Sequence, residues 1–334
     1  MTRNLCAVVV PEAFSSNASD FLDQEFGGQS VLTLTLQAVV EAGVDQIICV
    51  GSSPNFMAAT KELNVDFPVT MVQLGSHRVE SHLEAIITYL DTPKEDTDLL
   101  ILAGNQPLLQ PVDVAEIVSE HSAQNAAVTV AVGGPANVDS GTALVADAKG
   151  RVQEVAPFRS ALAFASEDSE LIEAYPLYMF AADLFGPTVR RAKPMATNAR
   201  VEDLIEVVAQ TGNKCHIVDM EHRRTQVQGI STAEELGELS THLQQDKMAN
   251  LAKAGVQIVN PALTHIDLSV TVGAGTRIEP FTTITGSTVI GENCQVGPFA
   301  EVVSTKLENG STLSHCSIKY GKMADDSTQT DFGS

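Results

Sequence analysis

The C-terminal third of the chain carries a six-residue repeat of aliphatic side chains. Seven of them stand six residues apart without interruption: Ile266, Val272, Ile278, Ile284, Ile290, Val296 and Val302. A small side chain follows four residues after each of the five from Val272 to Val296: Thr276, Thr282, Thr288, Cys294 and Ala300. Six is also a multiple of the strand period of two, so an ordinary antiparallel sheet is the competing interpretation. The unbroken register favours a parallel β-helix, in which three hexapeptides form one triangular coil and the aliphatic corners stack inside.

The extent of this repeat sets the size of the β-helix. We expect it over residues 256–320, with a one-residue slip of register after Val302 that resumes at Leu307 and Leu313. Since one coil needs roughly 18 residues, there is room for only about three coils. The remaining tail, residues 321–334, is polar and is expected to be disordered.

The first two thirds of the chain alternates short β-branched runs with helical patterns. The strand-like runs are Leu5–Val10, Gln46–Val50, Val69–Gln73, Asp98–Ala103, Ala126–Val132, Leu177–Phe180 and Cys215–Val218. The helical patterns are Val31–Ala42, Ser81–Leu90, Val112–His121 and Val201–Gln210. This rhythm is typical of βαβ crossovers, and it predicts an α/β domain over residues 1–228 with a parallel sheet covered on both faces. A hairpin is expected around Asp147–Gly150.

A connecting helix is predicted between these parts, over residues 229–255. The segment from Ser231 to Glu234 (STAE) has the form of a capping box. An apolar stripe with helical spacing follows and ends at Gly255; it consists of Leu236, Leu239, Leu243, Met248 and Leu251.

Charge and cysteine content exclude several classes of partner. The formal net charge is −22, from 20 basic and 42 acidic residues, which argues against nucleic acids and anionic membranes. The five cysteines are scattered without a C-x-x-C pair, so neither a disulfide framework nor a zinc site is indicated. No segment resembles a signal peptide or a membrane span, and we expect a cytoplasmic protein.

Several local sequences resemble segments of one enzyme family. They are Phe26–Leu32 (FGGQSVL), Gln73–Ser76 (QLGS), Leu102–Leu109 (LAGNQPLL), Gly255–Ala262 (GVQIVNPA) and Val289–Pro298 (VIGENCQVGP). With the order of the predicted domains, they resemble the bifunctional N-acetylglucosamine-1-phosphate uridylyltransferase/glucosamine-1-phosphate acetyltransferase family over nearly the whole chain. The resemblance implies a Rossmann-like nucleotidyltransferase domain, a left-handed parallel β-helix, a homotrimer and a place in UDP-N-acetylglucosamine and cell-wall precursor metabolism.

The stretch Val8–Gly28, where that family keeps its triphosphate-binding loop, departs from the family pattern. It has no glycine before Gly27, and no lysine or arginine occurs between Arg3 and Lys61. A loop that cradles phosphates needs glycines, which let backbone N–H groups turn toward the anion, and usually a cation. This stretch carries carboxylates instead, at Glu12, Asp20, Asp23 and Glu25. We therefore expect the original phosphate chemistry to be lost.

Other functional positions of the family are replaced as well. Carried over residue by residue, the lysine that holds the sugar phosphate falls at Phe21, the metal-binding aspartate at Asn105 and its asparagine partner at Gln228. The sugar-contacting glutamate falls near Ala156, and a sugar-site asparagine at Tyr175. A neutral amide is a far poorer ligand for a hard dication than a carboxylate. The resemblance thus implies no catalytic residues, no metal and no cofactor, with Mg²⁺ required only if the chain is active.

Six residues are the candidates for a remnant uridine pocket. They are Gln73, Gly75, Ser76, Gly104, Asn105 and Gly141. The alternative interpretation is that they are turn residues of the fold. Acetyltransferase activity is expected to be absent, because the resemblance places the acetyl-CoA site and its histidine on later coils. His265 and His315 are then expected on the β-helix surface, and His77 in a loop near the pocket.

Three functions fit these observations. The first is a non-catalytic homologue, structural or regulatory, whose partner is a uridine nucleotide, a cell-wall precursor or another protein. The second is an active nucleotidyltransferase making UDP-N-acetylglucosamine, with its metal held by Glu12, Asp20 or Asp23. The third is a sugar-binding module without transfer activity.

Overall fold

The computed structural model describes residues 3–11, 14, 21–26, 29–51, 63, 65–73, 82–90, 97–136, 141–148, 150–192, 200–230 and 232–330. The chain divides into two compact units. The first comprises Met1–Asp23 and Val31–Ser231, and the second comprises Gln24–Ser30 and Thr232–Ser334. Among the described helices, none is both long and apolar enough to span a membrane.

The first unit alternates strands with helices. Its strands are β1 (Asn4–Val9), β4 (Gln46–Gly51), β5 (Val69–Gln73), β6 (Thr97–Leu102), β7 (Val128–Pro135), β8 (Thr142–Ala146), β9 (Val152–Pro157), β10 (Glu170–Ala181) and β11 (Cys215–Asp219). Its helices are α1 (Val31–Glu41), α2 (His82–Tyr89), α3 (Pro111–Gln124), α4 (Phe158–Phe164), α5 (Ala182–Ala192), α6 (Val201–Gln210) and α7 (Arg224–Val227), with a 3₁₀ turn at Glu221–Arg223. The predicted hairpin is present as the turn between β8 and β9, where the Asp147 N–H donates to the Arg151 carbonyl over 3.0 Å.

These strands form one mixed sheet of nine strands. Seven follow the order β11-β7-β10-β6-β1-β4-β5, and β8 pairs with both β10 and β9. The prediction of a parallel sheet is wrong for β10, which runs antiparallel to its partners β6, β7 and β8. Buried strands of either direction are rich in apolar side chains, so the sequence pattern does not reveal direction.

Alternate residues of the central strands feed two apolar cores, one on each face of the sheet. In β1, Cys6 and Val8 belong to one core, whereas Leu5, Ala7 and Val9 belong to the other. Successive strand side chains point to opposite faces, and both faces here are covered by helices. This explains the continuous apolar run at the start of the chain and confirms the expected Rossmann-like domain.

The second unit contains the predicted β-helix. Its short strands are β12 (Gln257–Ile258), β13 (Thr264–Ile266), β14 (Thr271–Val272), β15 (Arg277–Ile278), β16 (Thr282–Thr285), β17 (Val289–Ile290), β18 (Gln295–Val296), β19 (Ala300–Val303), β20 (Lys306–Leu307), β21 (Thr312–Leu313), β22 (Cys316–Lys319), β23 (Lys322–Met323) and β24 (Thr328–Gln329). They form three parallel sheets, β12-β15-β18-β21-β24, β13-β16-β19-β22 and β14-β17-β20-β23. Three parallel sheets with this connectivity are consistent with a left-handed β-helix.

The repeat residues occupy the interior as expected. Ile266 stacks on Ile284 and Ile284 on Val302 in successive coils, and all three are completely buried. The small side chains are buried too. The Thr276 hydroxyl accepts from the Cys294 N–H over 3.0 Å and donates to the Gly291 carbonyl over 2.8 Å, so it links two coils. Larger side chains at these positions would not fit between the corners.

The prediction that the β-helix ends near residue 320 is wrong, as is the estimate of three coils. Twelve corner positions from Ile258 to Met323 make four coils, and β24 begins another. The coils shorten, with 18 residues between Val272 and Ile290, 17 from there to Leu307, and 16 from Leu307 to Met323. A coil needs only one apolar corner every five or six residues, so Met323, which is 8% exposed, sustains a segment that is otherwise polar.

Two further elements belong to the second unit. Strands β2 (Glu25–Phe26) and β3 (Gln29–Ser30) form a small antiparallel pair. The connecting helix is α8 (Ala233–Lys253), followed by a 3₁₀ turn at Pro261–Leu263. The capping box lies one residue later than predicted, because Thr232 is the N-cap and pairs reciprocally with Glu235. On α8, Lys247 donates to the carbonyls of Leu268 and Val270 over 2.8 and 2.6 Å.

Candidate functional site

The candidate site lies at the carboxyl edge of the sheet, where β1 and β6 end side by side. The two strands are parallel, with Val9 opposite Leu102, and the Val10 N–H donates to the Leu102 carbonyl over 3.0 Å. In open α/β sheets this edge is where ligands bind. The chain leaves β6 through residues 103–110, the segment that contains Gly104 and Asn105.

Steric constraints at this edge require a glycine at position 104. Its φ is +84°, a left-handed conformation that glycine adopts without strain. A Cβ at this position would lie 2.5 Å from Val9 Cγ1 and 3.4 Å from Leu32 Cδ1. The backbone can therefore turn over the end of β1 only because the side chain is absent.

Asn105 is buried, with 3% of its surface exposed, and is paired with a distant segment. Its Nδ2 donates to the Ile230 carbonyl over 2.7 Å, and the Ile230 N–H donates to the Asn105 carbonyl over 2.9 Å. Within the described chain, its Oδ1 is buried without a hydrogen-bond partner. Gly229 lies directly against this oxygen, because a Cβ on Gly229 would collide with it. The segment 229–230 thus closes over the amide.

Gln106 extends this closure, and sequence reasoning missed it. It is completely buried, and its backbone N–H donates to Thr35 Oγ1 over 3.1 Å. Its Nε2 donates to the carbonyls of Pro176 and Val227 over 3.1 and 3.0 Å. A polar side chain directly after the buried run of β6 was the signal that could have identified it.

These groups do not fit the divalent cation that the resemblance implies. Asn105 offers one neutral oxygen, which Gly229 covers. The Oε1 of Gln228 already faces a cation, because Arg224 Nε lies 3.4 Å from it. Within the described ranges, no cluster of three or more His, Cys, Asp or Glu side chains could hold a metal ion. Hard dications prefer several carboxylate or carbonyl oxygens with room for water, and this arrangement supplies neither.

The position of the sugar-site asparagine holds a buried phenol. Tyr175 is 1% exposed, and its hydroxyl donates to Glu221 Oε2 over 3.0 Å; the Gly134 N–H donates to the same oxygen over 2.8 Å. Arg224 pairs with the buried Glu173 over 3.1 Å. Burial, followed by the hydrogen bond to Glu221, raises the pKa of Tyr175 well above its ordinary value. The phenol is therefore a neutral donor, committed to a carboxylate of the same chain.

Two apolar side chains of the Val8–Gly28 stretch, Leu22 and Phe14, are buried, and Leu22 lies beside Gly104. Leu22 is completely buried, and its Cδ2 would lie 3.7 Å from a Cβ on Gly104. Phe14 is 9% exposed, and its ring centroid lies 5.3 Å from that of Tyr178. Neither side chain can neutralise a phosphate. Phe21 is partly exposed, and Ala156 is buried on β9.

Of the other pocket candidates, the two that the structure describes, Gln73 and Gly141, are not brought together with Gly104 and Asn105. Gln73 ends β5, three strands away from β6 in the sheet order, or roughly 14 Å at about 4.8 Å per strand. Gly141 is exposed before β8, and a Cβ there would meet no atom within 4 Å. Gly75, Ser76, His77, Glu12 and Asp20 lie outside the described residues. His265 and His315 are on the β-helix surface, as predicted, and His265 pairs with Asp267 over 3.0 Å.

Comparisons with known proteins match both parts of the chain. The family model for 2-C-methyl-D-erythritol 4-phosphate cytidylyltransferase matches residues 20–236. The bacterial transferase hexapeptide model matches residues 269–304.

Individual relatives agree with these family matches. The bifunctional protein GlmU of Thermobifida fusca is 28% identical over 78% of this chain and 58% of its own length. The GlmU of Syntrophomonas wolfei is 24% identical over 87% of this chain and 66% of its own length. The chain thus spans about three fifths of the length of these curated relatives.

A solved structure supports the fold of the first part. The 4-diphosphocytidyl-2C-methyl-D-erythritol synthase of Anaerococcus prevotii superposes on 73% of this chain and 100% of its own with a TM-score of 0.51 at 17% identity. The chain belongs to the nucleotidyltransferase family of the 2-C-methyl-D-erythritol 4-phosphate cytidylyltransferase model, joined to hexapeptide repeats as in its homologues, the bifunctional GlmU proteins.

Proposed function

We propose that this chain is a non-catalytic homologue of the sugar-1-phosphate nucleotidyltransferases, with a structural or regulatory role in UDP-N-acetylglucosamine and cell-wall precursor metabolism. The observation that carries the proposal is the closure over Asn105, whose amide bonds to Ile230 beneath Gly229. Nucleotidyl transfer joins two anions and depends on a metal and cations that neutralise the developing charge. The closed amide supports the absence of that metal.

The composition of the phosphate side supports the same conclusion. The family's glycine-rich basic loop is replaced by a stretch that buries the apolar side chains of Phe14 and Leu22. Losing a single electrostatic stabiliser commonly lowers kcat about 10²- to 10³-fold. Here the lysine, both metal ligands and the loop are replaced together, so transfer should fall to background.

Pyrophosphate release with Mg²⁺ tests this proposal. One reaction pairs UTP with N-acetylglucosamine 1-phosphate, as the resemblance implies, and the other pairs CTP with 2-C-methyl-D-erythritol 4-phosphate, as the name of the matched family model implies. The wild-type chain should release no pyrophosphate above a protein-free blank in either reaction. Release that is abolished by Asp20→Asn or Asp23→Asn would overturn the proposal in favour of an active enzyme with a rearranged metal site.

Restoring the family's carboxylate provides a sharper variant. In Asn105→Asp, a carboxylate faces the Ile230 carbonyl in place of the donor Nδ2. The variant should lose about 1–3 kcal/mol of unfolding free energy, because a buried bond becomes a repulsion, and it should gain neither activity nor stabilisation by Mg²⁺. The exposed Asn213→Asp is the matched control and should be nearly neutral. Stabilisation of Asn105→Asp by millimolar Mg²⁺ would show that a metal site persists.

We also propose that the protein is a cytoplasmic homotrimer. Large apolar side chains on the β-helix surface support self-association: Leu263, Phe281 and Phe299 are 43%, 53% and 48% exposed. Light scattering should give three times the chain mass of 35.4 kDa. A monomer at micromolar concentration would contradict this part of the proposal.

A further inference from the structure

Helix α6 contains a carboxyl group where its packing face should be apolar. The buried residues of this helix are Val201, Glu202, Leu204, Ile205, Val207 and Val208. Glu202 is completely buried, and within the described chain neither of its carboxyl oxygens has a hydrogen-bond partner in another residue. A buried carboxylate without partners is very costly, whereas a protonated carboxyl at the same place costs far less.

The surroundings of Glu202 favour its neutral form. Burial raises its pKa from 4.5 to about 7; Arg200 and its own backbone amide oppose the rise, and Asp203 adds to it. The phenol of Tyr178 on β10, itself fully buried, is the titratable group that senses Glu202 from the sheet. Among the residues that the structure describes, none forms an ion pair with Glu202 that would compensate its charge.

A second carboxyl group faces α6 from the sheet. Glu154 of β9 shares a hydrogen bond with Glu206, and two carboxyl groups can do so only when one of them is protonated. Burial raises the pKa of Glu154 to about 7, helped by Glu206 and Asp203 and opposed by Arg200. The interface between α6 and β9 thus carries a like-charged pair unless a proton joins it.

The other elements packed against α6 supply no compensating charge to these groups. The described charged side chains of α5 and β11 are Asp183, Arg190, Arg191, His216 and Asp219. Asp183 faces Arg3 at 3.8 Å and His216 faces Glu120 at 3.3 Å. None of the five contributes to the titration of Glu154 or Glu202.

We propose that α6 is a proton-dependent latch, held on the sheet by Glu202 and Glu154 in their protonated forms and loosened as they ionise. An undocked carboxyl ionises near its ordinary pKa of 4.5, whereas the docked groups ionise near 7. The docked helix therefore holds extra protons between these values, and docking weakens as the pH rises through that window.

Hydrogen exchange read by mass spectrometry tests the latch on the whole chain. Protection of the α6 amides, corrected for intrinsic exchange rates, is compared at pH 5.5 and 7.5, with α1 as the internal reference, because the buried residues of α1 include no titratable side chain. In the wild type, α6 should lose protection relative to α1 by on the order of tenfold for each carboxyl. Equal changes in α6 and α1 would overturn the proposal.

Two variants separate the latch from a general effect of pH. Glu154→Gln replaces the titrating carboxyl with an amide that still donates to Glu206 and, because position 154 is partly exposed, should fold normally; it should remove about half of the logarithmic change. Glu202→Gln combined with Glu154→Gln should flatten the response, whereas the exposed Glu170→Gln should leave it unchanged. A double variant that keeps the full wild-type response would refute the assignment. If the double variant does not fold, the result for Glu154→Gln alone tests the proposal, and a full wild-type response in that variant would refute it.

Discussion

Buried side chains close both the interior of the β-helix and the carboxyl edge of the α/β sheet, but the sequence specifies the two sets of contacts in different ways. In the β-helix each corner repeats its neighbour, as Ile266, Ile284 and Val302 show. At the sheet edge the closure depends on a unique contact between Asn105 and Ile230, 125 residues apart. Because its corners repeat, the β-helix can be predicted from the sequence and tolerates one-residue shifts of register. The closure at the sheet edge depends instead on a few individual contacts that no neighbouring residues repeat.

Removing one β-helix corner should have the largest effect. Ile284→Ala leaves a cavity between Ile266 and Val302, and should cost about 2–5 kcal/mol of unfolding free energy. Urea denaturation followed by circular dichroism measures the loss. The exposed neighbour Thr283→Ala should change the unfolding free energy by less than about 0.5 kcal/mol. Equal losses in the two variants would mean that the corners do not support the unit.

Acid should distinguish the two regions next. Burial lowers the pKa of His121 to about 4 in the folded chain. Between pH 6.5 and 4, His121 is therefore protonated in the unfolded chain and neutral in the folded chain. Stability is lost as the pH falls through this window, by up to about 3 kcal/mol. His121→Asn should remove that contribution to the acid slope, whereas the exposed His265→Asn in the β-helix should not. Indistinguishable slopes in denaturation series at pH 4–7 would contradict this assignment.

The closure over Asn105 should respond to a single methyl group. Gly229→Ala forces a Cβ against Asn105 Oδ1, and should cost about 1–3 kcal/mol by overpacking. Gly141→Ala is the matched control in the same unit, with free space around the new Cβ and a nearly neutral effect expected. Thermal unfolding of both variants measures the difference. A neutral Gly229→Ala would show that the edge is more open than the structure indicates.

The smallest expected effect concerns the β-helix surface. The rings of Phe281 and Phe299 stack with centroids 5.0 Å apart and planes 2° apart, and each is about half exposed. Phe299→Ala should cost about 0.5–1.5 kcal/mol, the worth of an aromatic pair. Tyr320→Ala, at 81% exposure, should be neutral by the same urea measurement. A loss at Tyr320 as large as that at Phe299 would point to contacts outside the single chain.

The same contrast explains which features could be predicted. Periodicity predicted the β-helix interior, because an apolar residue recurs at the same spacing before and after each corner position in the sequence. It missed the last coil, because one methionine at Met323 is too weak a signal in a polar segment. It also missed the direction of β10, which depends on pairing between distant strands.

At the site, local patterns located the positions but not their partners. The left-handed φ of Gly104 agrees with the alternative interpretation that it is a turn residue of the fold. The roles of Gln106, Gly229 and Glu221 depend on contacts between segments 46 to 125 residues apart, with no periodicity to reveal them. The nucleobase role of Gln73 remains a prediction.

Calorimetry with nucleotides tests the central claim, that the carboxyl edge is closed to metal and phosphate, most directly. Uridine, UMP and UTP are titrated into the wild-type chain with and without Mg²⁺, and CTP is included because of the matched family model. Any binding should weaken from uridine to UMP to UTP, since added phosphates meet apolar groups and carboxylates, and Mg²⁺ should not change that order. Tightest binding by UTP or CTP, strengthened by Mg²⁺, would contradict the account.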